Sequence, residues 1–315
     1  MVILSASQAR PQNLDSLIAL RDTALISEEQ IDLQLQIANI LSSTDIVAAL
    51  DYANQALKEA EEIASVRWIA ESKLAIGSLY DFLGVNSRAS EYLMEALNSF
   101  EVLNDSLKQA STLMQIGNTY FYLKQYNTAL KKFSQVSEFG RALNDTSLII
   151  SGLNATAAVY GNISKMDSAL ILFNEAHALA RQYGSLQQEI LAYYNMGDVH
   201  LYSGRRTQAL EVFEDLENYY DLKTNSPKHL SSLYNSMTKA YLEKRNLDRA
   251  TEYSSNALEA LQENMRLTEY PEYFLHRFRI DSLEQNYDQA LENYIRYKEL
   301  NDSLNNASFR EQVAN

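Results

Sequence analysis

The chain has 315 residues, 46% hydrophobic and 22% charged, with 41 acidic against 27 basic side chains, a net charge of −14 and no cysteine. That balance excludes a nucleic-acid or anionic-membrane surface built on a basic stripe, because nothing would neutralise phosphates. The missing cysteines exclude disulfides, thiolate metal sites, cysteine nucleophiles and a lipid-anchoring cysteine, and without a run of 18 or more apolar residues no segment of this chain is expected to insert into a membrane.

At the N-terminus, Met1 to Ala9 reads MVILSASQA. It is too short for a signal peptide but shaped like the tail of one, with Ser7 and Ala9 spaced as before a cleavage site. An ordinary disordered end is the alternative, so residues 1–12 are assigned to a disordered segment or a signal-peptide remnant. From residue 13 onward the chain repeats. Alanine returns every 40 residues at Ala49, Ala89, Ala129, Ala169 and Ala209, then at Ala250 and Ala290 after a one-residue slip. Four residues on stand Ala53, Leu93, Phe133, Phe173, Phe213, Ser254 and Tyr294, and three further Ala56, Ala96, Val136, Ala176, Leu216, Ala257 and Tyr297. The spacing i, i+4, i+7 is one stripe of a helix, here helix B.

Nine residues before each alanine sit Ile40, Tyr80, Tyr120, Tyr160, His200, Tyr241 and Asp281, and three before those Ile37, Gly77, Gly117, Ala157, Gly197, Thr238 and Phe278. This second stripe is a separate helix A, with a small residue one turn before an aromatic. Two residues before the alanines stand Ser87, Asn127, Asp167, Thr207, Asp248 and Asp288, all residues that favour a helix N-cap. Helix B is therefore expected to begin within two residues of each. Gly84 and Gly204 suit a left-handed end to helix A. Leu103-Asn104-Asp105-Ser106 and Leu143-Asn144-Asp145-Thr146 mark turns between units, and Ser226-Pro227 places a proline where a first helical turn tolerates it.

Gly117, Tyr120, Ala129 and Phe133 reproduce in full the tetratricopeptide repeat pattern of a small residue, an aromatic three on, alanine, and an aromatic four on; Gly197, His200, Ala209 and Phe213 do so nearly. The chain thus resembles that family. Trp68 lies outside the family's tryptophan position and no proline closes any repeat. The unit is longer than the usual ~34 residues, giving each helix nearly one extra turn. A 40-residue period would also suit HEAT or armadillo repeats, but the Gly-x2-Tyr and Ala-x3-Phe spacings favour tetratricopeptide repeats. The long variant resembles repeats that grip peptides in bacterial pheromone receptors and motor light chains. The resemblance implies an all-α, right-handed α-solenoid of about seven helical hairpins, a single superhelix over residues 13–302.

Chemistry-bearing constellations are not in the sequence. His177, His200, His229 and His276 lie in different repeats without HExxH-like spacing, and His200 occupies the aromatic packing position. GxGxxG, GxxxxGK[ST] and GxSxG do not occur. No enzymatic activity, cofactor or metal is expected.

Function then falls to the surface that helix A lines in this family. Counting the small residue as position 8, positions 5, 9 and 13 supply Asn154, Tyr194 and Asn235, then Asn118, Asp198 and Lys239, then Phe82, Tyr122 and Tyr202. Asparagine amides match the unpaired amide and carbonyl of an extended peptide, and tyrosines add apolar contact with a hydroxyl. Asn118, Tyr122, Asn154, Tyr194, Asp198, Tyr202, Asn235 and Lys239 are the candidate peptide-binding residues. Of these, Asn118, Asn154, Tyr194 and Asn235 are expected on one concave face, exposed in the free protein. The partner is a peptide or protein segment, neutral or cationic rather than acidic given the charge. The family's carboxylate clamp of lysines and arginines is not evident.

The ends narrow the reading. LDSLIALRDTALISEEQIDLQLQIANIL and ALENYIRYKELNDSLNNASFREQVAN resemble the opening and close of exported repeat regions in bacterial membrane-anchored sensors. Leu300, Leu304, Phe309 and Val313 continue an apolar stripe, so residues 303–315 are expected to form a helical extension toward a coiled coil or membrane helix. The resemblance implies a periplasmic sensor domain of a signalling protein. A cytoplasmic scaffold of the same fold is the alternative, and a glycan-binding lipoprotein is weakened by the missing cysteine.

Overall fold

The computed structural model describes residues 14–23, 27–42, 44–183, 185–218, 229–264 and 269–304. The expectations for residues 1–12, for Ser226-Pro227 and for Phe309 and Val313 lie outside them. The described residues form fifteen helices and no strand: α1 (Leu14–Thr23), α2 (Glu28–Leu41), α3 (Ile46–Glu62), α4 (Val66–Phe82), α5 (Asn86–Val102), α6 (Ser106–Tyr122), α7 (Tyr126–Leu143), α8 (Thr146–Asn162), α9 (Met166–Tyr183), α10 (Leu186–Tyr202), α11 (Arg206–Asn218), α12 (Leu230–Glu243), α13 (Leu247–Asn264), α14 (Tyr270–Leu283) and α15 (Tyr287–Leu304). After α1, the even-numbered helices are the A helices and the odd-numbered the B helices of seven successive hairpins.

The chain divides into two compact units, the first running to Lys132 and the second from Phe133, so that the border falls inside α7. In the first unit α2 to α6 pack in chain order, and α2 with α4 and α4 with α6 also meet. In the second, α8 to α15 pack in the same way, with α8, α10, α12 and α14 forming the layer of A helices.

The turns explain the period. At the end of α4 the Gly84 N–H donates to the Asp81 carbonyl at 2.9 Å and the Val85 N–H to the Tyr80 carbonyl at 2.9 Å, with Gly84 at φ +70°. This is a Schellman ending, which satisfies carbonyls that the last turn leaves free. The same pair of bonds recurs around Ala64, Asn104, Lys124, Asn144, Ser164, Gly204, Arg245 and Gln285, all left-handed. From α3 to α8 a 17- or 18-residue helix and such a turn make half of each 40-residue unit.

Helices B begin at Asn86, Tyr126, Met166, Arg206, Leu247 and Tyr287, one residue before each of the six expected cap residues. The capping role itself needs correction. The carbonyls of Val85, Gln125, Lys165, Arg205, Asn246 and Asn286 accept the first bonds, from the N–H groups of Ala89, Ala129, Ala169, Ala209, Ala250 and Ala290. The closing residue of each Schellman turn also opens the next helix. Ser87, Asn127, Asp167, Thr207, Asp248 and Asp288 therefore sit inside the first turn, where the helix dipole still favours acidic and polar groups. Side-chain caps form at Ser27, Asp45, Asp105, Asp145 and Asn246, which accept from Gln30, Ala48, Lys108, Leu148 and Arg249.

The periodic alanines are core. Ala49, Ala89, Ala129, Ala169, Ala209 and Ala250 are fully buried, and Phe133, Phe173 and Phe213 four residues on are almost so. The small residues of helix A meet these bulky groups. A Cβ on Gly197 would lie 2.3 Å from Phe213 Cε1, and one on Gly77 2.8 Å from Leu93 Cγ. The close approach of helices A and B therefore depends on the missing side chain.

Candidate functional site

Adjacent A helices are joined by polar rungs between residues 37 to 42 apart. In the first unit Lys108 reaches Glu71 at 2.7 Å and Thr119 donates to Asp81 at 2.6 Å. In the second, Ser232, Asn235, Ser236 and Lys239 stand at i, i+3, i+4 and i+7 on α12, one face of that helix. Ser236 Oγ donates to Asp198 Oδ1 on α10 at 2.9 Å, and the Tyr194 hydroxyl lies 3.0 Å from Ser236 Oγ and 3.4 Å from the Ser232 carbonyl. On the other side Ser231 and Ser232 donate to the carboxylate of Glu269, which precedes α14, at 2.5 and 3.0 Å.

The charges in this network are unevenly matched. Lys239 Nζ sits 3.7 Å from the centre of the Tyr202 ring, a cation–π contact. Asp198 accepts from neutral partners, and desolvation pushes its carboxyl up to about 6, with Glu272 adding to the rise and Ser236, Tyr194 and Lys239 opposing it. Glu272 of α14 is itself raised, first by desolvation, with Lys239 opposing and Glu269 adding. Tyr194 is raised by burial and by the Asp198 charge.

Beside Asp198 a recess of about 520 Å³ opens between α8, α9 and α10. Its apolar lining comes from Ala158, Met166, Phe173 and Val199, and its polar edge from Asn162, Asn195, Asp198 and Tyr202.

The structure thus brings four of the expected site residues, Tyr194, Asp198, Tyr202 and Lys239, into one cluster on α10 and α12. Asn118 and Tyr122 lie on α6 in the first unit, Asn118 half-buried and Tyr122 69% exposed. The expected exposure of Asn154 and Asn235 is wrong: they are 7% and 1% exposed, and neither amide has a hydrogen-bond partner. Each stands three residues before the small residue of its helix, Ala157 or Thr238, and so shares the stripe that packs inward. Tyr194, at the same position, is half-buried for the same reason. Ser231, Ser232, Ser236, Glu269 and Glu272 escaped the sequence reading. The signal that could have found them is the offset of 37 to 42 residues, applied from Tyr194 and Asp198 to the next A helix.

Among the described residues no group of His, Asp and Glu side chains could hold a metal ion, and no helix is long and apolar enough to cross a membrane.

No family model matches the chain, and no curated protein matches it. Solved structures do. The chain is similar to a Rap protein complexed with Competence and Sporulation Factor, at TM-score 0.69 and 14% identity over 92% of this chain and 79% of that one. A Rap conjugation gene regulator of a plasmid, in complex with a Phr peptide, aligns at TM-score 0.66 and 15% identity over 91% and 83%. A signal transduction ATPase from Pyrococcus horikoshii with a tetratricopeptide repeat sensor aligns at TM-score 0.68 and 18% identity over 91% of this chain and 43% of that one. At such identities the likeness concerns the fold, and the chain has a tetratricopeptide-like, all-helical repeat fold.

Proposed function

We propose that the protein is a non-catalytic module that binds an extended peptide or protein segment on its A helices, and that it serves as the periplasmic sensor of a bacterial signalling protein. The observation that carries the binding reading is the α10–α12–α14 network. Tyr202, 63% exposed and held under Lys239, borders a recess whose edge is polar and whose lining is apolar. Aromatic contact beside a few placed polar groups suits a peptide side chain and its backbone. The similar Rap regulator solved with a peptide supports this reading. The sensor role is supported by the resemblance of the chain's ends to exported sensors and by the similar sensor-bearing ATPase.

The binding test is a peptide array probed with the folded protein, followed by fluorescence anisotropy on the captured sequences. Tyr202→Ala with Lys239→Ala should weaken binding at least tenfold without unfolding the protein; unchanged affinity moves the site elsewhere. Cell fractionation of the native gene product tests the sensor role: recovery with the cytosol leaves the scaffold.

A further inference from the structure

We infer that the recess between α8, α9 and α10 receives an arginine or lysine side chain of the bound segment, with Asp198 as its counter-ion. This rests on the peptide-binding reading above and names the chemistry that the segment must carry.

The shape comes first. Met166, Phe173 and Val199 give the recess an apolar floor, and Asp198 stands on its edge. An apolar floor ending at a carboxylate matches a side chain with a methylene stem and a cationic head, which buries the one while keeping the other solvated or paired. Gly161 keeps the wall open. A Cβ there would meet nothing nearer than Val199 Cγ2 at 3.7 Å, so packing does not demand a glycine.

Charge then selects the occupant. Asp198 receives hydrogen bonds from hydroxyl groups, and the lysine that acts on it lies against the Tyr202 ring. Glu272 adds a second negative group to the same neighbourhood. A half-buried carboxylate without an ion pair is incompletely solvated, which is unfavourable, and a guanidinium or ammonium arriving in the recess would reduce that cost. An acidic occupant would add repulsion, and an apolar one would desolvate Asp198 further. Such a carboxylate could simply be a structural rung between helices. That role needs only the bond to Ser236, and an asparagine could accept the same bond.

The test uses the whole protein labelled with 13C at the methionine methyls and reads the Met166 signal. The probes are capped pentapeptides Ala-Ala-Xaa-Ala-Ala with Xaa arginine, lysine, norleucine or glutamate. Arginine and lysine peptides should shift Met166 and bind at least tenfold more tightly than the other two. Asp198→Asn should reduce that preference to within twofold, and Gly161→Leu should abolish the shift. Equal affinity for norleucine, or a preference that survives Asp198→Asn, overturns the inference. Longer peptides that bind without regard to a basic residue would overturn it while leaving the peptide-binding reading in place. If the arginine pentapeptide fills the recess but the array captures no longer segment, the recess stands and the module reading falls. Should Gly161→Leu fail to fold, Asp198→Asn alone decides.

Discussion

Two aspartates, one in each unit, are held by the same device. Asp81 on α4 and Asp198 on α10 each accept a hydrogen bond from a hydroxyl 38 residues later, on the next A helix, and desolvation raises both. Their surroundings differ. Asp81 faces Thr119, itself fully buried, and the bond closes the rung. Asp198 keeps Tyr194 and Glu272 as further influences and stands at the edge of a recess. A shared rung is therefore a structural habit of stacked A helices. What marks a candidate site is the open recess beside the carboxylate, which Asp198 has in addition to its rung.

The largest effect expected from comparing the units lies at their glycines. A methyl on Gly197 would strike the edge of the Phe213 ring, which is fully buried and cannot turn aside. Gly197→Ala should therefore destabilise by about 3 kcal/mol through overpacking. At Gly77 the nearest atoms are Leu93 Cγ and Cδ2 at 2.8 and 2.9 Å, a shallower overlap with an equally buried side chain, so Gly77→Ala should cost less, about 1–2 kcal/mol. Hydrogen exchange of α10 and α4 measures each locally, which matters because a repeat array can lose two-state behaviour. Equal losses would show that the identity of the bulky partner is irrelevant. Ala169 tests the same packing from helix B. It is fully buried, and Ala169→Leu should destabilise by about 1–3 kcal/mol; an unchanged midpoint would give the alanine period another cause.

Next comes Asp198. Its folded carboxyl is raised from 3.8 to about 6, so the ionised form is the unfavourable one. The cost is fully present above pH 6 and fades as pH falls through 6 toward 4, because the native state then takes up the proton first. Asp198→Asn should accordingly stabilise the free protein by about 1–3 kcal/mol at pH 7.5, with the gain disappearing near pH 4. Glu272 and Lys239 face the same carboxyl and should make the transition broader than a single titration. Asp81→Asn should show a smaller gain of the same sign, also lost on acidification. Denaturant titrations at four pH values decide it: a pH-independent gain at Asp198 would mean that the carboxyl is not desolvated. A residue that lowers stability while improving cation binding would fit a site rather than a scaffold.

Much of the fold was legible because the period is redundant. The alanine, its partner four residues on and the small residue in helix A each reported the same two helices, and burial of Ala129, Phe133, Ala169, Phe173, Ala209 and Phe213 follows from that spacing. The cap residues misled by two positions, since polar residues favour both the cap and the first turn behind it. The candidate site was half legible. Tyr194, Asp198, Tyr202 and Lys239 emerged from positions within one repeat, but their partners Ser236 and Glu272 lie on other helices, and a pattern within the repeat does not carry the offset between stacked helices. Asn154 and Asn235 failed because three residues along a helix keep a side chain on the same face as the small packing residue, and that face is inside.

The smallest effect separates the two units by backbone alone. Lys124 closes α6 and Gly204 closes α10 in the same left-handed conformation, at φ +58° and +75°, with equivalent Schellman bonds: Gln125 to Tyr120 at 2.8 Å and Arg205 to His200 at 2.9 Å. A side chain pays a steric penalty in that region that glycine avoids. A Cβ at Gly204 would touch nothing within 4 Å, so any cost of substitution there is conformational and not a clash. Gly204→Ala should therefore destabilise by about 1 kcal/mol, and Lys124→Gly should stabilise by somewhat less than about 1 kcal/mol, because the extra freedom glycine has in the unfolded chain offsets part of the relief. Thermal melts of the two variants and their parent read the pair directly. Opposite signs of similar size would show that the turns are interchangeable between the units. A loss at Lys124→Gly would mean that the lysine side chain contributes more at that turn than its backbone strain removes.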